Sequence, residues 1–370
     1  MAGSHTRDQG EQPRGGGERR RREPGGQGGD STEVDGRRLG HYLIREHLCQ
    51  GGMGDVFAAE HVHLGRQVAI KIPRTDDGDS FFNQQQLLAE ARHLARVAHV
   101  NVVGVYDLGY GPEGLAYLVM EHLQGTSLDN ILARTPFVGL SEVTHLVREV
   151  ARGLGACHRA GILVCDVKPE NVMVVSGPLI GLAPQGTVWC KLIDFGAALS
   201  LPVKISDNLG ERRQNRAGTP AYASPELILG HPLDLTSDVY SLGVLLYELV
   251  AGCYPYDAES DEEHMRMAVE ASPIPLSARR GEIAEGGPLE LFVARCLSRD
   301  PYARPRDMVA FLDGLDQAAR LSSIGRSGDE TLCGDLKANI SEARPQVSTV
   351  RMDRVEAEIS SPSRSHGSED

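Results

Sequence analysis

Apolar and polar positions change rhythm several times along the chain, and each change marks an element. Before Val34 there is hardly an apolar residue; residues 1 to 36 are Gly-rich and charged, with Arg19, Arg20, Arg21 and Arg22 in the middle. Such a stretch cannot bury a core, so it is expected to be disordered, and the arginine run to be a solvated tail rather than a docking tag. From Tyr42 short apolar runs alternate with turns, the pattern of a small sheet. Val68-Ala69-Ile70-Lys71-Ile72 reads as a strand ended by Pro73, and Tyr117 to Leu123 as a buried strand running into a linker. Asn83 to Val97 has helical spacing, with Leu87, Ala91, Leu94 and Ala95 on one face. Ser141 and Glu142 read as the N-cap and first-turn acid of a helix with Val143, Leu146, Val147, Val150, Leu154 and Cys157 on its apolar face, ended by Gly161. Val172 to Val175 and Val188 to Ile193 are strand-like. Ser237 or Asp238 is expected to cap a helix that buries Val239, Leu242, Leu245, Leu246 and Leu249 and stops at Gly252. Past about Ala319 periodicity is lost, and residues 320 to 370 are expected to be a second disordered, Ser-rich tail.

Composition narrows the classes. The 370 residues suit two ordinary domains or one large two-lobed domain with tails. A net charge of -13, from 51 acidic and 38 basic residues, argues against nucleic acid or an anionic membrane as the main partner. Seven cysteines, at 49, 157, 165, 190, 253, 296 and 333, form no C-x-x-C pair. They read as isolated thiols, neither a disulfide framework nor a zinc site. The chain shows no apolar stretch long enough to span a membrane and no apolar signal core, so a soluble, cytoplasmic protein without a membrane anchor is expected.

The chemistry concentrates in Asp166-Val167-Lys168-Pro169-Glu170-Asn171, just ahead of a strand. An Asp that accepts a hydroxyl proton, a Lys that neutralises charge on a moving phosphoryl group and an Asn whose carbonyl can hold a cation form a phosphoryl-transfer set. Alone, the pattern is as common as a polar turn. Its companions, in order, are Leu48-Cys49-Gln50-Gly51-Gly52-Met53-Gly54-Asp55-Val56, Val68-Ala69-Ile70-Lys71, Glu90, Asp194-Phe195-Gly196 and Ser224-Pro225-Glu226. Lys71 stands in an apolar run and needs an anionic partner, for which Glu90 on the following helix is suited.

With that order in place the chain resembles the protein kinases, most closely the bacterial eukaryotic-like serine/threonine protein kinases. The resemblance implies an α+β, two-lobed protein kinase fold over residues 42 to 315: an antiparallel-sheet N-lobe with one main helix over about 42 to 121, and a mainly helical C-lobe over about 125 to 315. It implies transfer of the γ-phosphate of ATP to Ser or Thr hydroxyls of proteins, with magnesium or, in its place, manganese. Asp166 and Lys168 are then catalytic, Asn171 and Asp194 bind metal, and Thr219 positions the acceptor. The residues from Leu48 to Val56, with Ala69, Lys71, Glu90, Met120, Glu121, Leu123 and Met173, line the nucleotide site. Glu226, Asp238 and Arg304 are structural. The protein substrate, activating signal and oligomeric state are left open.

Three positions depart from the family. Cys49 replaces the first glycine of the phosphate-covering loop, and Val164 and Cys165 replace the His and Arg that precede the catalytic Asp. Val164 is expected to fill a stack with Leu94, Leu108 and Phe195, and Cys165 to be a small apolar filler rather than a redox switch. That Arg normally meets a phosphorylated activation-loop residue, and no Ser, Thr or Tyr lies between Ser206 and Thr219. Activity is therefore expected not to depend on activation-loop phosphorylation, whereas Thr331, Ser348 and Thr349 are candidate autophosphorylation sites. The rivals are a pseudokinase acting as a nucleotide-binding scaffold, favoured by the three departures, and a small-molecule kinase of the same fold, disfavoured by Lys168 and the Thr219 and Ser-Pro-Glu segments.

Overall fold

The computed structural model describes residues 37–51, 54–74, 80–111, 114–134, 138–176, 188–202 and 220–323. Strands β1 (Arg37–Leu39), β2 (Tyr42–Gln50), β3 (Gly54–His61), β4 (Gln67–Pro73), β5 (Val105–Tyr110) and β6 (Ala116–Glu121) form one sheet in the order β1-β2-β3-β4-β6-β5. Every pairing in it is antiparallel. The sheet begins at Arg37, ahead of the expected start at Tyr42, because Leu39 is buried beside Tyr42 and Ile44.

Both faces of β4 are covered, so it is buried from Val68 to Ile72, but its alternation still sorts the side chains. Val68, Ile70 and Ile72 join Phe57, Tyr117 and Val119 in the outer cluster. Ala69 belongs to the inner core with Leu118 and Met120, and the period of two puts Lys71 on that same face. Helix α1 (Ser80–Leu94) lies there and buries Leu87, Glu90, Ala91 and Leu94. It starts and ends three residues earlier than its periodicity predicts; Ala95 and Val97 continue as a turn on the carbonyls of Ala91 and Leu94.

After β6 the chain passes through β7 (Gly125–Ser127) and α2 (Leu128–Arg134) into α3 (Leu140–Arg159). The N-cap of α3 is Gly139, not Ser141; no side chain caps it, and the Glu142 carboxylate occupies the space a Cβ on Gly139 would need. The segment that carries Asp166 to Asn171 runs from β8 (Ile162–Leu163) to β9 (Val172–Ser176), followed by β10 (Val188–Leu192) and β11 (Leu199–Ser200). β9 pairs with β10 and with β7, and β11 pairs with β8.

The rest of the described chain is helical: α4 (Pro225–Leu229), α5 (Leu235–Ala251), α6 (Asp261–Glu270), α7 (Leu276–Arg279), α8 (Pro288–Cys296) and α9 (Met308–Ser323). α5 is buried on all sides, as a helix at the centre of a lobe must be. Its cap is Asp234, whose carboxylate accepts from Thr236 N at 2.8 Å; Ser237 and Asp238, the expected caps, point inward to other partners. Gly252 ends the helix at φ 71°, a left-handed conformation that costs glycine least. α9 continues to Ser323, past the expected boundaries at 315 and 320, because Phe311, Leu315 and Ala318 keep a buried face.

Candidate active site

Two consecutive elements, β4 and α1, meet the segment after β10 around one group of charges. Lys71, from β4, donates to both carboxylate oxygens of Glu90, from α1, at 2.8 and 3.0 Å. Both are buried, at 8% and 1% exposure. Asp194 Oδ2 lies 3.8 Å from the same ammonium. Burial alone would lower the Lys71 pKa, but the Glu90 and Asp194 carboxylates outweigh it and hold the amine charged. For Asp194 burial works against ionisation, and Lys71, the Gly196 N–H and Lys168 together overcome it, so the carboxyl sits below its ordinary range. Glu90 is pushed up by burial, against the pull of Lys71.

The loop that carries Asp166 is held from beneath. Asp238, fully buried in α5, accepts from Val164 N at 2.9 Å and Cys165 N at 2.8 Å, and pairs with His158 Nε2 at 2.7 Å. Those bonds stabilise Cys165 at φ 63°, the one non-glycine residue with positive φ among the described residues and a conformation that costs on the order of 1–3 kcal/mol. Immediately after this bend, Asp166 Oδ2 receives Lys168 Nζ at 2.9 Å and Asn171 Nδ2 at 2.8 Å. Asn171 Nδ2 also bonds to Asp166 O at 2.9 Å, and Asn171 O accepts from Ile193 N at 3.1 Å, which ties the loop to the strand that delivers Asp194. Val164 is buried in the same core cluster as Leu94 and Phe195, a cluster against which Leu108 also packs.

Gly54, third glycine of the phosphate-covering loop, opens β3 so close to β4 that a Cβ on it would stand 2.2 Å from Ile72 O. Strand packing alone therefore demands glycine at this position. Gly51 N closes the turn on Gly54 O at 2.8 Å, Cys49 and Gln50 are exposed at the end of β2, and Asp55 bonds to His47 at 3.1 Å. Gly52, Met53 and Thr219, three expected site residues, lie outside the described residues.

Met120 is buried at 6% exposure on the inner face of the sheet, Ala69 is its partner across the strands, and Leu123 is partly buried in the linker. Met173 is partly buried in β9, opposite Ser127. The Glu121 carboxylate turns to Lys191 Nζ at 2.8 Å and accepts from Gly104 N at 3.2 Å, and the Glu121 N–H donates to Gly104 O at 2.8 Å. Glu226 and Arg304 form the expected buried pair, with two bonds of 2.7 and 2.9 Å.

Sequence reasoning gave no role to four residues that position the site. His158 braces Asp238, and Lys191 is buried inside an apolar strand and pairs with Glu121. Asn101 Nδ2 reaches Glu149 Oε2 at 2.7 Å and Cys190 O at 2.8 Å, joining α3 to β10. Lys191 could have been found by the rule that found Lys71, a lysine in an apolar run. The pairing of Asn101 with Glu149 spans 48 residues and leaves no local signal.

Beside the catalytic loop, Asp129, Glu170, Tyr222, Glu248 and Tyr254 line a cavity of about 290 Å³. Burial, with the nearby Glu170 charge, pushes the Glu248 carboxyl up to about 7 against the hydrogen bond it accepts from Tyr222. A raised carboxyl binds more protons folded than unfolded. Its contribution to stability is complete below the ordinary glutamate range and disappears as pH rises through about 7. Glu248→Gln is expected to flatten that part of the Tm-against-pH curve; a variant whose curve matches the parent between pH 5 and 8, roughly the window of the shift, would remove this assignment.

The chain matches the protein kinase domain over residues 42–312, and it belongs to the protein kinase family. It is 30% identical to the serine/threonine-protein kinase pkn3 of Myxococcus xanthus over 79% of this chain and 53% of that protein. It is 33% identical to pkn2 of the same organism, over 78% of this chain and 33% of that one. The chain thus spans about half or less of the length of these relatives. The crystal structure of the PknI kinase domain of Mycobacterium tuberculosis superposes with a TM-score of 0.57 at 26% identity, covering 77% of this chain and 98% of that one. The two-lobed α+β kinase fold expected from the sequence is therefore the fold of this chain.

Proposed function

We propose that the chain transfers the γ-phosphoryl group of ATP to serine or threonine hydroxyls of proteins. The observation that carries this reading is the assembled set itself: Lys71 on Glu90 at 2.8 Å, and Asp166 held by both Lys168 and Asn171, in a chain where Cys49, Val164 and Cys165 depart from the family. Those departures would favour a pseudokinase if they had displaced the charged groups.

Each residue has a task set by its surroundings. Lys71, kept charged by Glu90, is a fixed cation for the phosphates of the nucleotide. Asp166 orients the acceptor hydroxyl and takes its proton, and Lys168, bonded to Asp166, faces the charge of the group in transit. Asp194 and the side-chain oxygen of Asn171 make a hard, all-oxygen donor set, which fits magnesium held by one or two protein ligands together with substrate phosphates. Bound there, magnesium would neutralise phosphate charge, and manganese suits the same oxygens. A phosphate between Ser206 and Thr219 is not required, since Cys165 offers it no cation.

The test is transfer of labelled γ-phosphate from ATP, with magnesium, to a generic acceptor protein, followed by phosphoamino-acid analysis. Label on phosphoserine and phosphothreonine is the expected result. Nucleotide binding without transfer to any acceptor would hand the site to the scaffold reading, and label confined to phosphotyrosine would overturn the acceptor class.

A further inference from the structure

Away from the nucleotide cleft, an arginine and a histidine converge on one serine. Ser200, the exposed last residue of β11, accepts from Arg96 Nη1 at 3.2 Å and lies 3.3 Å from His93 Nε2. His93 is in the last turn of α1, Arg96 follows two residues past its end, and the second arm of the Arg96 guanidinium bonds to Ala160 O. Neither of these Arg96 partners is an anion, so a guanidinium that could hold a dianion in a bidentate grip is occupied by a carbonyl and a hydroxyl. Ser200 also stands at a mechanical junction. It lies six residues after Asp194 on the strand paired with Ile162–Leu163, while His93 is three residues after Glu90 on the helix that anchors Lys71.

We propose that Ser200 is a phosphorylation site whose phosphate docks on Arg96 and His93. The phosphate supplies the charged link between activation segment and helix that the absent arginine at position 165 does not. This narrows the expectation that no phosphate in the activation segment matters: the stretch from Ser206 to Thr219 lacks the cation, and Ser200 has two candidates for it. The inference rests on the proposed activity, because a second copy of the chain is the donor's enzyme. In the step, Ser200 Oγ forms a bond to the γ-phosphorus of ATP and the bond from that phosphorus to the β–γ bridging oxygen breaks. ADP leaves with that oxygen, and the hydroxyl proton passes to Asp166 of the copy acting as enzyme. On Ser200 the phosphate brings nearly two negative charges and three acceptor oxygens to a pair of donors already in place. It holds α1 against β11 and thereby keeps Glu90 on Lys71.

Two measurements on the full chain decide the matter. The first maps phosphate by mass spectrometry after incubation with magnesium and ATP, beside transfer to a generic acceptor protein. The second uses chain made with phosphoserine incorporated at position 200 during translation, and titrates the magnesium complex of the imido analogue of ATP, which needs no turnover. Phosphate at Ser200, and binding tighter by about fivefold or more in the phosphoserine chain, are expected. Arg96→Ala in that chain should abolish the gain and Arg96→Lys retain part of it. Transfer to the generic acceptor with Ser200 unmodified overturns this inference and leaves the activity standing. No transfer at all overturns both, and a phosphoserine chain that binds nucleotide no better overturns the docking whatever the activity.

Discussion

Replacing Asp166 with asparagine should lower kcat for phosphoryl transfer by about 10²- to 10⁴-fold, the usual worth of a positioned general base, with little change in nucleotide affinity. The expectation follows from what surrounds the carboxylate. Its Oδ2 receives Lys168 at 2.9 Å and Asn171 at 2.8 Å, so asparagine has the shape to stay in place but can no longer take a proton. Lys71 and Glu90, the pair proposed above to anchor nucleotide, bond to each other and not to Asp166, so nucleotide affinity should be unchanged. Steady-state turnover with a titration of bound ATP analogue separates the two effects. A variant that keeps kcat would take the base role away from Asp166, and one that loses nucleotide binding in proportion would show that the substitution disturbed the cleft instead.

Arg304→Ala should be the most destabilising single truncation of a polar side chain in the C-lobe. The guanidinium is 2% exposed and grips both oxygens of Glu226. It also donates to the carbonyls of Ser298 and Thr236 and lies over the Tyr240 ring. Truncation leaves a buried carboxylate and orphaned carbonyls, a loss of about 3–5 kcal/mol for a broken buried pair. That is a fall of roughly 10 °C in Tm for a domain of this size. Burial would raise the Glu226 carboxyl, but hydrogen bonds and charge from Arg304 outweigh it and hold it below its ordinary value. The stability tied to this ionised carboxylate is thus present above the ordinary glutamate range and is lost as pH falls through the depressed pKa. Calorimetry of parent and variant at neutral pH and in acid tests both parts. A Tm within a degree or two of the parent would mean the lobe repacks around the vacancy.

Features written in local patterns were legible in advance. The glycine loop, the lysine in an apolar strand, the Asp166 to Asn171 loop and Asp-Phe-Gly are short motifs whose order is enough, and the structure brings Lys71 to Glu90 as expected. The helix-capping expectations fared worse, for a physical reason. Ser237 and Asp238 have the chemistry of caps, yet both are drawn inward by partners distant in sequence: Glu226 for the serine, and the catalytic-loop amides for the aspartate. Asp234, three or four residues earlier, caps the helix instead. The same blindness covers His158, Asn101 and Glu121, each of which acts through a partner that only the tertiary fold supplies.

The left-handed bend at Cys165 separates two traits that a single arginine would otherwise combine. One is shape, since whatever residue stands there must turn the chain so that Asp166 emerges toward the cleft. The other is charge, as a grip for a phosphate elsewhere. Asp238 enforces the first through main-chain amides, which every residue except proline carries, so the side chain at 165 is released from that duty. The turn that aims Asp166 and the cation that would answer a phosphate are thus separate requirements at position 165, and on the proposed mechanism a change of side chain there alters how the protein is switched on without altering how it reacts.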